Sequence, residues 1–150
     1  MAFCSSPSLT AILTRQEDDK VEVTAPGEYS IKDGKEYIRY TEYLTENDIL
    51  KDHETRSTII IHNNNEIEVI KSGEVDSYML FSEGERMDGC YKTPFGSFEI
   101  GVKTNSLKIE KQAEKIKIEV QYSMQIFGED ANQCSVRIQI ENIDRCVRLI

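Results

Sequence analysis

The 150-residue chain is short of positive charge: 18 lysines and arginines stand against 27 aspartates and glutamates, a formal net charge of −9. Nucleic-acid binding rests on cations that neutralise phosphates, so no nucleic acid is expected as a partner. The acid excess reads as solubility. Histidine is scarce, with His53 in an acidic stretch and His62 at a strand end. A metal centre needs three or four converging ligands. Neighbouring side chains such as Asp48, Asp52, His53 and Glu54 seldom converge from one loop, so no metal or other cofactor is expected. The cysteines at 4, 90, 134 and 146 include no Cys-x-x-Cys pair. Free thiols in a reducing cytosol are favoured over a disulfide between distant strands. No apolar run approaches the roughly 20 residues of a membrane helix. Residues 1–7 carry neither the basic start nor the apolar stretch of an export signal. The expectation is a cytoplasmic protein without membrane contact. No long helical pattern exists, so no glycine-rich loop leads into a helix N-terminus where phosphate could bind.

What the chain has in plenty is alternation. Ile116, Ile118, Val120, Tyr122, Met124 and Ile126 fall on one face of a strand, with Lys117, Glu119, Gln121, Ser123 and Gln125 on the other. Cys134, Val136, Ile138 and Ile140 repeat the pattern, which places Cys134 in the core as an inert thiol. Asp33-Gly34 joins two alternating runs and predicts a hairpin turn with positive φ at both positions. Asn63-Asn64-Asn65 predicts another, since asparagine tolerates left-handed geometry. Ser82-Glu83-Gly84-Glu85 and Thr93-Pro94-Phe95-Gly96 are turns about Gly84 and Pro94. Pro26-Gly27 predicts a bend, and Gly101 a bulge or bend. Lysines 103, 108, 111, 115 and 117 read as solvated surface.

About ten short strands with turns between them and no long helix predict an all-β fold. A single apolar face on long strands favours closure, which removes exposed edges. The expected architecture is an antiparallel up-and-down β-barrel of about eight to ten strands. It forms one domain over 1–150, with 1–8 a loose lead-in, 44–55 a loop or short helical turn able to act as a lid, and 142–150 a tail.

If such a barrel encloses a lumen, Tyr40, Glu42, Tyr78, Arg86, Tyr91 and Tyr122 are candidates to line it. Tyrosine packs through its ring while its hydroxyl seeks a partner, which suits an apolar cleft with a few placed polar groups. Glu42 shares the face of Ile38 and Tyr40. Buried there it would need a partner, with Arg39, Arg56 and Arg86 the candidates; at a strand end it would reach water. The competing reading of the whole set is core filling. The leading expectation is a non-enzymatic protein that binds a small, apolar or amphipathic ligand. The alternative is an interaction module, with a homodimer as one form, and a hydrolase comes third. No catalytic residue is assigned.

The run Lys71-Ser72-Gly73, Met79-Leu80-Phe81 with Glu83-Gly84-Glu85-Arg86, and Tyr91-Lys92-Thr93-Pro94-Phe95-Gly96 resembles the YwiB-like bacterial proteins. Glu99, Gly101, Thr104 and the hairpin over 29–42 continue the likeness, which covers roughly 9–141. The resemblance implies a calycin-like barrel, related in shape to lipocalins, in a family of unknown function, and it brings no catalytic residues. The chain departs from that pattern at 44–55 and after Asn142.

Overall fold

Each run of alternating residues becomes one strand. The computed structural model describes residues 8–15, 19–43, 54–73, 76–93, 96–126 and 131–141; for 8–24, 42, 43 and 93 it describes backbone only. Ten strands follow one another: β1 (Ser8–Arg15), β2 (Asp19–Lys32), β3 (Lys35–Tyr43), β4 (Glu54–Asn63), β5 (Glu66–Gly73), β6 (Asp76–Ser82), β7 (Arg86–Thr93), β8 (Gly96–Lys111), β9 (Ile116–Ile126) and β10 (Asn132–Glu141). Every strand pairs antiparallel with its sequence neighbours. β1 also pairs with β10, in register from Ser8↔Glu141 to Arg15↔Cys134, so the sheet closes into an up-and-down barrel. The expected lid segment is shorter than 44–55, because β4 begins at Glu54. Residues 44–53 and the tail from 142 lie outside the described residues.

Turn chemistry accounts for the hairpins, and three positions depart from expectation. Asp33 and Gly34 take φ of 53° and 77°, as an Asp-Gly hairpin turn requires. The Asn63–Asn65 turn uses no left-handed asparagine. Instead Asn65 N donates to Asn63 Oδ1 at 2.8 Å, a side chain standing in for a backbone acceptor. Pro26-Gly27 does not break β2. The strand runs straight through and changes partner there, pairing with β1 up to Pro26 and with β3 from Gly27. Proline is tolerated because it sits at the end of one ladder. Gly101 holds no bulge either. Its outward side is covered by the Arg86 guanidinium, and a Cβ there would come within 2.6 Å of Nη2. The irregularity of β8 falls at Thr104–Ser106, and Glu83 Oε1 accepts the Leu107 N–H beyond it at 3.4 Å.

The half of the barrel nearest the 33–34, 64–65 and 112–115 turns is lined by buried isoleucine and valine. Ile38, Ile59, Ile67, Ile118 and Ile140 are fully buried, and Ile61, Val102 and Val120 nearly so. Mid-barrel, Phe81 of β6 meets Tyr122 of β9 across the interior, edge to face with centroids 4.9 Å apart. Beyond the isoleucines, Lys111 is exposed, as expected, and reaches across the barrel end. Its Nζ lies 2.6 Å from Glu36 Oε2, and the Tyr29 hydroxyl donates to Glu36 Oε1. Four strands separate β3 from β8 either way round, so this ion pair spans the barrel mouth and ties opposite walls together.

Two stability predictions follow from this packing, each read from the urea midpoint at constant m-value. Glu36→Ala removes the acceptor of the Tyr29 hydroxyl and the partner of the exposed Lys111 ammonium and is expected to cost about 1 kcal/mol. Lys111→Ala is expected to cost less than about 1 kcal/mol, because the ammonium end of the pair is wet. Separately, Thr104 is fully buried and its Oγ1 has no hydrogen-bond partner. Thr104→Val keeps the shape, removes the orphaned hydroxyl and is expected to stabilise by about 1 kcal/mol.

Candidate functional site

Strand register sorts the candidate lumen residues into inside and outside. In β6, Ser77, Met79 and Phe81 point inward, so Tyr78 points out. In β7, Arg86 pairs with exposed Lys103 and is itself exposed. Neither residue lines the lumen. The expectation fails because inward phase in these strands belongs to smaller or apolar neighbours, not to the most conspicuous polar and aromatic residues. Tyr122 does face inward, but at 5% exposure against Phe81 it belongs to the packed middle. Tyr40 and Tyr91 face inward together. The backbone of Glu42 pairs with that of Thr55; its side chain lies outside the described residues. Arg39 and Arg56 are exposed on the outer face, as is Arg86.

The two inward tyrosines belong to a longer row that the sequence reading did not find. Tyr40↔Ser57, Ser57↔Lys71, Lys71↔Ser77, Ser77↔Tyr91 and Tyr91↔Phe98 are successive register pairs across β3 to β8. Strands tilt against a barrel axis, so this row runs obliquely from mid-barrel toward the end opposite the Glu36–Lys111 bridge. Tyr40, Ser57 and Ser77 are buried, Lys71 and Tyr91 half-buried, and Phe98 is 43% exposed. One step deeper the same strands present Ile38, Ile59, Val69, Met79, Gly89 and Ile100. The facing wall, on β9 and β10, presents Val120, Tyr122, Met124, Cys134 and Val136, all buried. The interior beyond the Phe81–Tyr122 contact therefore has a polar wall with one lysine and an apolar wall opposite it. The signal for Lys71 was present in the sequence, since it stands in phase with Ile67 and Val69.

The outward residues form two other groups. Arg86 Nη2 donates to Gln125 Oε1 at 3.1 Å, beside a shallow groove of about 460 Å³ lined by Arg86, Asp88, Cys90, Glu99 and Gln125 among others. On β4 to β6, Glu68 Oε1 accepts the Tyr78 hydroxyl at 3.1 Å. His62 Nε2 stands 3.3 Å from the same oxygen, off hydrogen-bonding geometry. His62 thus sits beside Glu68; His53 lies outside the described residues. Among the described residues no three histidine, cysteine or acidic side chains are grouped to hold a metal ion. Cys90 is exposed and Cys134 buried, both as free thiols.

Comparison with known proteins gives the same fold and no activity. The profile of a domain of unknown function, DUF1934, matches residues 9–138. The chain is 29% identical over 121 residues to the "Uncharacterized beta-barrel protein YwiB" of Bacillus subtilis (strain 168), covering 81% of this chain and 80% of that one. The crystal structure of ywiB protein from Bacillus subtilis superposes with a TM-score of 0.74 over 91% of each chain, at 24% identity.

Partial removal from water holds the Tyr78 phenol above its ordinary pKa of 10.0, helped by its bond to Glu68 and the charges of Glu68 and Glu66. A raised folded-state value keeps the proton on the native protein longer than on the unfolded chain. The stabilisation is therefore complete below pH 10.0 and lost as pH climbs through the raised value. Alkaline absorbance titration is expected to show a late-ionising component from Tyr78, and Tyr78→Phe should remove that component and lessen the corresponding loss of stability.

Proposed function

Since this chain belongs to the DUF1934 family, whose function is unknown, its role has to be read from its own inner face, and we propose that it is a binding protein for a small amphipathic molecule. The observation that carries this reading is the divided interior. One half is lined with isoleucine and valine and bridged by Glu36–Lys111. The other half sets Ser57, Lys71, Ser77 and Tyr91 against an apolar wall. A barrel interior that served packing alone would gain from apolar side chains at those buried serines, because each buried hydroxyl must be hydrogen-bonded to avoid a desolvation cost. An amphipathic ligand suits both walls, with its apolar part on β9 and β10 and its polar part toward β4 to β7. Phe98 is the exposed large apolar side chain among the described residues, and it stands at the open end of the row, where an entering apolar group would first meet the protein.

Native mass spectrometry of protein freshly purified from cells tests the reading. A discrete added mass that leaves on denaturation is expected, and it should be missing from Ser77→Phe, whose new ring would project between the two walls. Circular dichroism and thermal unfolding check that the variant still folds. If protein freshly purified from cells carries only its own mass and added amphiphiles neither bind nor raise its melting temperature, the reading falls.

A further inference from the structure

The outer surface of the barrel is as unequal as the inner one. On β8 to β10 the outward positions are polar or glycine throughout, for example Lys103, Lys108, Lys117, Glu119, Gln121 and Arg137. On β3 to β6 the outward positions include Tyr37, Ile60, Ile70, Tyr78 and Leu80, which lie together. Tyr37↔Ile60, Ile60↔Glu68 and Glu68↔Leu80 form one register row, with Thr58↔Ile70 and Ile70↔Tyr78 in the next. All five are half-buried in the monomer, and partly exposed apolar groups gathered on one wall and rimmed by charge are the kind of surface that interaction sites use.

Charge says what the partner is. The β3–β4 side of the patch carries Lys35, Arg39 and Arg56, with Glu54 at the strand end as its acid. The β5–β6 side carries Glu66, Glu68 and Asp76 and no cation among the described residues. A surface with a positive and a negative half is complementary to itself. We infer that β3 to β6 form a homodimer face, with a two-fold axis running parallel to the strands between β4 and β5. That axis lays the positive half of one copy on the negative half of the other. In register terms it sets Arg39 of one copy against Tyr78 of its mate, Tyr37 against Leu80, and Thr58 against Ile70, and it brings Arg56 toward Asp76. An axis across the strands would instead oppose like halves, at a cost. The side-chain sizes suit two convex walls. Thr58 and Ile70 lie near the axis, while Tyr37, Arg39 and Tyr78 lie at the flanks, where long side chains can span walls that curve apart. Arg39 already stacks on the Tyr37 ring, 5.4 Å from its centroid, which orders it for contact. The face is about four strands wide at roughly 4.8 Å spacing, so the dimer is of the weak, salt-sensitive class.

Sedimentation velocity over a concentration series at low and high salt tests this with the full chain. The wild type is expected to shift from monomer to dimer as concentration rises, and salt should weaken the shift. Arg39→Glu with Arg56→Glu makes both halves acidic, and Glu66→Lys with Asp76→Lys makes both basic. Each double variant alone is expected to associate about tenfold or more weakly, and an equimolar mixture of the two should form a heterodimer. Ile70→Arg, near the axis, should abolish association without charge swapping. Circular dichroism and urea unfolding verify that all variants fold, since Asp76 Oδ1 also accepts the Gly73 N–H at 3.0 Å. A wild type that stays monomeric throughout overturns the inference, as do variants that associate like the wild type. Folded variants that lose association but fail to pair with each other would overturn the proposed axis.

Discussion

The ladder between β1 and β10 is the contact on which everything else in this molecule depends. Ten strands paired only with their sequence neighbours would be a curled sheet with two long edges, each a row of unpaired amides and carbonyls. Eight register pairs from Ser8↔Glu141 to Arg15↔Cys134 satisfy both edges at once. Closure then fixes which side of each strand faces in, because a slip of one residue would turn a whole apolar set to water. It also makes residues far apart in the chain face one another across a narrow interior. The Phe81–Tyr122 contact and the Glu36–Lys111 bridge both join strands that are not paired in the sheet.

Those cross-barrel contacts mark the boundary of what the sequence discloses. Strands β9 and β10 are plain to read, because apolar and polar residues alternate without a break and both faces follow. The Asp33-Gly34 turn is equally plain, since few residues tolerate its dihedral angles. Local pattern falls short where a long-range partner decides. Lys111 reads as solvated surface and is exposed, but its ion pair with Glu36 on the opposite wall has no signal in the local sequence. Pro26-Gly27 reads as a bend, yet it marks a change of partner within an unbroken strand. Gly101 reads as a bulge, yet its missing side chain makes room for Arg86 from the adjacent strand.

The candidate site was half legible for a related reason. Tyr40 and Tyr91 are correctly placed inward by their own alternation, and Tyr122 likewise, though it serves the core. Tyr78 and Arg86 attract attention by chemistry while their phase is set by Ser77, Met79 and Val102, which carry little chemical signal. Ser57, Lys71 and Ser77 were passed over because serine and lysine in a strand are usually outward. Only the register of five neighbouring strands shows them as one row.

The strands β3 to β6 depart from the rule that β8 to β10 obey, and they do so on both faces. In β9 every second residue is apolar and buried and the rest are polar and wetter. In β5 the pattern inverts at its end, with Ile70 outward and Lys71 inward, next to buried Ser57 on one side and buried Ser77 on the other. Exchanging such a pair would bury more apolar area, so hydrophobic burial alone would favour the opposite order. Conflicts between local pattern and fold of this kind concentrate where a protein does something besides fold. One wall, β8 to β10, holds the barrel together by the ordinary means. The other gives up part of that stabilisation on its inside, where an amphipathic guest would lie, and on its outside, where a second copy would rest.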